Sequence, residues 1–156
     1  MDCVGNAGWS QGILLALAAL AVHFDLKARR IPNRLLIAGG VLSIVLSLAT
    51  HSPPFRQLLG GALVGLALFM PFYLMGRMGA GDVKLMGLAG AFLGIQGAFV
   101  SGLLAMLAGG ALALWFLAFR LGNRLPYAVA IFSGVLGYVL IRCDGANLLN
   151  FSFQGV

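Results

Sequence analysis

Four carboxylates, Asp2, Asp25, Asp82 and Asp144, are the only acidic groups in a sequence that has no glutamate at all. Two carboxyl groups held close together resist simultaneous ionisation and share one proton. One member then takes a proton from water as it attacks a carbonyl, while the other protonates the carbonyl oxygen and later the leaving amine. Such chemistry needs neither metal nor covalent intermediate, and the shared proton belongs to the pair, not to either residue. Asp2 and Asp144 lie in terminal stretches, where a solvated carboxylate is the plain expectation. Asp25 closes the first long apolar run and Asp82 opens the fourth. Each also has a simpler reading. Asp82 could cap its helix, and Asp25 could pair with Lys27, Arg29 or Arg30 at the membrane interface.

Other reactive side chains give less. His23 is two positions from Asp25 and points to a different helix face, and His51 falls in a loop on the opposite side, so neither joins the candidate site. The two cysteines, Cys3 and Cys143, form no CxxC pair, which leaves no zinc motif. Both are expected outside the cell membrane, where a disulfide between them is possible. No cofactor is expected.

The carboxylates must be positioned by elements that live in lipid. Hydrophobic residues make up 61% of the 156, charged residues 9%, and mean hydropathy is +1.01, too little polar surface to cover a soluble globule. Apolar runs at Trp9 to Phe24, Leu35 to Thr50, Leu58 to Gly76, Val83 to Phe99, Val100 to Phe119 and Tyr127 to Ile141 predict six transmembrane helices in one domain, residues 1–156. The runs are apolar on all sides and lack the alternation of a barrel. Sixteen residues of helix give only ~24 Å against a hydrocarbon core of ~30 Å, so short spans end in polar cavities or thin the bilayer. The first run is preceded by an aspartate and followed by the positive charges, the reverse of a signal peptide, and is read as a retained span.

Charge sets the orientation. Lys27, Arg29, Arg30, Arg34, Arg77, Lys84, Arg120 and Arg124 fall on one face of a six-span chain and only Arg56 and Arg142 on the other, which makes loops one, three and five cytoplasmic and places both termini outside. The net charge of +6 then reflects topology and anionic headgroups, not nucleic acid. Asp25 and Asp82, 57 positions apart (25 to 82), come to the same membrane depth at the cytoplasmic face.

Two stretches surround them. "RMGAGDVKL" (Arg77 to Leu85) sets Gly79 and Gly81 before Asp82, where backbone angles closed to other residues and close approach of a substrate chain are expected. "DLKARRIPNRL" (Asp25 to Leu35) reads as a tight basic hairpin: Pro32 stops the first helix and suits the start of the second, and Asn33 satisfies nearby backbone groups. Gly61 to Gly65 and Gly90 to Gly94 are GxxxG patterns, expected to pack helices of this bundle. Pro71 is expected to kink the third helix, and Tyr73 to turn its hydroxyl inward.

Taken together, "D-x-K-x-R-R-I-P-N" after the first helix and "G-A-G-D-V-K-L" before the fourth resemble the type IV prepilin peptidases, membrane aspartic proteases of the GxGD class. "LPYAVAIFSG" (Leu125 to Gly134) is similar to a third family segment. The resemblance implies that Asp25 and Asp82 are the catalytic pair, with Gly79 and Gly81 shaping the loop and Lys84, Ile31, Pro32 and Asn33 in supporting positions. It implies cleavage of a basic leader from prepilin or pseudopilin substrates at the cytoplasmic face of a bacterial inner membrane. Long family members carry a cytoplasmic region with paired CxxC motifs linked to methylation, absent here, so no methyltransferase activity is expected. The short form looks like the peptidases of tight-adherence pili, which process Flp-type pilins. Phe24 stands where the presenilin-like branch usually has tyrosine, which argues against that branch. Two rivals follow from the residues alone: a proton- or cation-coupled transporter, since intramembrane carboxylates also relay ions, and a noncatalytic assembly scaffold.

Overall fold

A computed structural model of the chain describes residues 6–28, 31–50, 53–76, 78–119 and 127–153, and among these the fold is entirely helical. The helices are α1 (Asn6–Ala28), α2 (Asn33–Thr50), α3 (Phe55–Leu74), α4 (Ala80–Ala118) and α5 (Tyr127–Phe153). The first four are long and apolar enough to cross a membrane, and α5 contributes a shorter apolar stretch, Tyr127–Arg142.

The fourth helix is two rods. At Gly94 the backbone turns to φ 73°, ψ −177°, a combination open essentially to glycine alone. A Cβ built on Gly90 would lie 3.1 Å from the Cβ of Ala98, and one on Gly102 would lie 3.3 Å from Met86 Cε. A straight helix would separate residues 86 and 102 by ~24 Å. The chain therefore reverses at Gly94, and residues 80–93 and 95–118 run back along each other. The apolar runs put this boundary between Phe99 and Val100. Nothing polar marks Gly94, and as the last glycine of a GxxxG pattern it reads as a packing position. Gly94→Ala is expected to destabilise the protein by ~1–3 kcal/mol in detergent unfolding. Gly40→Ala, at a helical site where a Cβ meets nothing within 4 Å, is expected to cost nothing.

The rod 80–93 is the centre of the molecule: every residue from Leu85 to Gly94 is buried. Helix α3 lies against it through glycine. Cβ atoms on Gly61 and Gly90 would each collide with the other's carbonyl oxygen, so the two GxxxG patterns meet each other inside the bundle. Gly134 of α5 approaches Ser101 and Ala105 on the second rod, 95–118. Helix α1 turns the stripe Ser10, Leu14, Ala18 and Ala21 inward, a spacing that holds one helix face. Leucine, isoleucine and valine on the outer faces, such as Ile37, Leu63 and Leu107, are exposed, as lipid contact requires.

Pro71 falls in the last turn of α3, which continues to Leu74 before Gly76 ends it at φ 69°. Tyr73 is exposed, not turned inward as the sequence suggested. Cys3, Asp2, His51 and the basic residues Arg29, Arg30, Arg77, Arg120 and Arg124 lie outside the described residues, as does the Cys143 side chain.

Candidate active site

Both sequence motifs arrive at one end of the bundle. Phe72 at the end of α3, Met78, Ala113 near the end of α4 and Tyr127 at the start of α5 line a single cavity of about 210 Å³. Ser47 and Gln57 mark the opposite end, where Ser47 Oγ donates to the Pro53 carbonyl at 2.6 Å and Gln57 borders the Gly94 turn. Asp82 belongs to the first end, in the first turn of α4, and Asp25 follows Ala21 by four residues on the inward stripe of α1, half-buried. Their charges act on each other.

Asp82 is 8% exposed and the only charged side chain among the buried polar residues described. The local backbone explains how it gets there. Gly79 caps α4: its carbonyl accepts from Asp82 N at 3.1 Å and from Val83 N at 3.4 Å. In return the Gly79 N–H donates to the Asp82 carboxylate, the half of a capping box in which the third helical residue's side chain reaches back to the cap N–H. That fixes the side chain's direction but engages only part of it. Oδ1 is buried and has no hydrogen-bond partner among the described residues. Buried carboxylate oxygens are mostly hydrogen-bonded, so an open Oδ1 marks Asp82 as a candidate functional group.

The glycines work differently from the expectation. Gly79 and Gly81 are not among the positive-φ glycines of the described chain, which are Gly76 and Gly94. They provide closeness, not unusual angles. A Cβ on Gly79 would stand 3.2 Å from Asp82 Oδ2. One on Gly81 would stand 3.3 Å from Ile31 Cβ, so the close approach at Gly81 is made by the chain's own hairpin.

The hairpin motif docks on the second motif at further points. Lys84 Nζ donates to Asn33 Oδ1 at 3.3 Å, and the Pro32 carbonyl accepts from Leu35 N at 3.0 Å, starting α2. Asp25, Ile31 and Asn33 thus face Asp82, Gly81 and Lys84 in turn. The sequence named all six without pairing Asn33 to Lys84 or Ile31 to Gly81. A double-mutant cycle with Asn33→Ala and Lys84→Met is expected to give a coupling of ~0.5–1 kcal/mol, modest because the bond is exposed. Additive losses in detergent unfolding would remove this link from the account.

His23 is exposed and stands edge-on to Phe24, ring centroids 6.0 Å apart. Among the described residues no three of His, Cys, Asp and Glu come together.

The sequence matches the type IV leader peptidase family over residues 12–114. That stretch runs from α1 to near the end of α4 and contains both aspartates, Ile31 to Asn33 and Gly79 to Lys84, but not α5 or residues 125–134. No curated protein and no solved structure matches the chain at a significant level. With well over half of its residues in that match, and with helices built to lie in a bilayer, the chain belongs to the type IV leader peptidase family and is a multi-pass membrane protein.

Proposed function

We propose that the protein is an aspartic endopeptidase in which Asp25 and Asp82 activate water to remove the basic leader of type IV prepilins, Flp-type pilins or pseudopilins. The observation that carries this reading is the buried Asp82 carboxylate, its Oδ1 open, beside the Asp25 charge. In the proposed reaction the ionised member of the pair takes a proton from water as the water oxygen bonds to the scissile carbonyl carbon. The protonated member donates to the carbonyl oxygen. Collapse breaks the C–N bond: one hydroxyl proton returns to the member that had donated as the carboxyl product forms, and the proton first taken from water goes to the leaving amine. The Gly79 N–H holds the Asp82 carboxylate in place, and Ile31 over Gly81 covers the first turn of α4.

The proposal includes six crossings with both termini outside and the carboxyl pair at the cytoplasmic face of a bacterial inner membrane. Lys27, Arg34 and Lys84 at the Asp82 end, against Arg56 in the first turn of α3, which starts at the other, support that orientation. Methylation of the new pilin N-terminus is not part of the proposed activity. The test is a cleavage assay with prepilins encoded by the same cell, using Asp25→Asn and Asp82→Asn separately. Leader removal at an undiminished rate after either change refutes the pair.

A further inference from the structure

A groove of about 470 Å³ runs between α2, α3 and the rod 80–93, open along its length to the bilayer. Ile44, Leu66 and Leu88 line its apolar floor and walls, and Ser43 adds no free polarity because its hydroxyl donates to the Gly40 carbonyl at 2.7 Å. At the Asp82 end the lining changes character. There Lys84 and Asn33 face the groove, joined through Lys84 Nζ to Asn33 Oδ1.

That mouth is rich in donors and carries a positive charge. Asn33 Oδ1 accepts from Lys84, the Asn33 amide has two N–H groups to give, and the ammonium of Lys84 has further ones. Among the described residues the polar partner of Lys84 is this neutral amide, and no carboxylate balances it. A cation and an amide donor above an apolar channel fit one ligand chemistry, a negatively charged phosphate carrying hydrocarbon. We infer that the groove binds an anionic phospholipid, one acyl chain lying between α2 and α3 and its phosphate held by Lys84 and Asn33.

The geometry favours a lipid over a substrate helix. At 3.6 residues per turn Lys84 lies about 200° around α4 from Asp82. Lys84, Gly87, Leu88 and Ala91 face the groove, whereas Asp82, Met86 and Ala89 face the interior. A helix seated here would be separated from the carboxyl pair by the body of α4. A lipid here would instead clamp the start of α2 to α4, the same junction that brings the two motifs together.

The test uses the full chain in detergent and native mass spectrometry, titrating phosphatidylglycerol against phosphatidylcholine of identical chains. One phosphatidylglycerol is expected to bind, at least about fivefold more tightly than phosphatidylcholine, the factor corresponding to ~1 kcal/mol per cation at an anionic lipid. Gly40→Leu projects into open groove space, since a Cβ there meets nothing within 4 Å, and is expected to abolish retention with helix content unchanged. Lys84→Gln is expected to remove the preference for phosphatidylglycerol, and Arg142→Gln to leave it intact. Glycerol phosphate without chains is expected not to compete. Equal binding of both lipids, unchanged retention in both Gly40→Leu and Lys84→Gln, or competition by glycerol phosphate overturns the proposal. So does a cysteine at Ile44 that is shielded from maleimide by prepilin and not by phosphatidylglycerol, which would give the groove to substrate.

Discussion

Asp82→Asn is expected to lower the rate of leader removal by about 10²- to 10⁴-fold, the usual contribution of a positioned acid or base, and Asp25→Asn to do the same. Asparagine keeps the shape of the side chain and can still accept from the Gly79 N–H, so the fold should persist. Replacing Asp82 also takes a carboxyl group with one open oxygen out of the interior, where an incompletely satisfied polar group is costly. The variant should therefore unfold in detergent no more easily than the parent. Loss of cleavage with undiminished stability separates a reacting group from a structural one. The Asp25→Asn, Asp82→Asn double variant should be scarcely slower than either single one, because residues that act as a unit are strongly non-additive. Losses that multiply would mean the two act independently, and cleavage at the parent's rate by either single variant would end the proposal.

The second large effect concerns the contact that carries Asp82 inward. Gly61→Val is expected to destabilise the protein by ~3 kcal/mol or more, at the upper end of overpacking costs. A Cβ on Gly61 collides with backbone, the Gly90 carbonyl, which unlike a flexible side chain cannot swing aside. Helix α3 must then move away from the rod 80–93, and the packing around Leu85 and Met86 opens. A matched substitution at Gly12, where a Cβ meets nothing within 4 Å, should be tolerated. Detergent unfolding followed by circular dichroism measures both. Equal stability of the two variants would show that the glycine contact is dispensable.

Much of this was legible in the sequence because lipid imposes simple rules. The six apolar runs expected as six helices fall in five, two of them within α4, and α5 continues to Phe153, well past the run that ends at Ile141. The runs mark the helices because every residue facing the bilayer must be apolar. Charge asymmetry brought Asp25 and Asp82 to a common end, where the structure places them. What stayed hidden has local causes. The turn at Gly94 needs no charge or proline, because one glycine with an open φ is sufficient and hydropathy does not register it. Gly79 and Gly81 serve close contact and not positive φ, which sequence cannot distinguish, since a small residue is needed for either. Only the coordinates of Ile31 and the Asp82 carboxylate tell the two apart. The Asn33 to Lys84 bond joins residues 51 positions apart, and no periodicity within a helix carries that information.

The order in which the two motifs leave the ribosome has a consequence for the cell. The hairpin bearing Asp25 is synthesised first, and the chain must grow by the 57 positions from 25 to 82 before its partner exists. At ~5–20 residues per second that interval is ~3–11 s. If the two act as the proposed pair, the nascent chain has helices in the membrane during that interval but no means of hydrolysis, and is not expected to cut neighbouring newborn proteins.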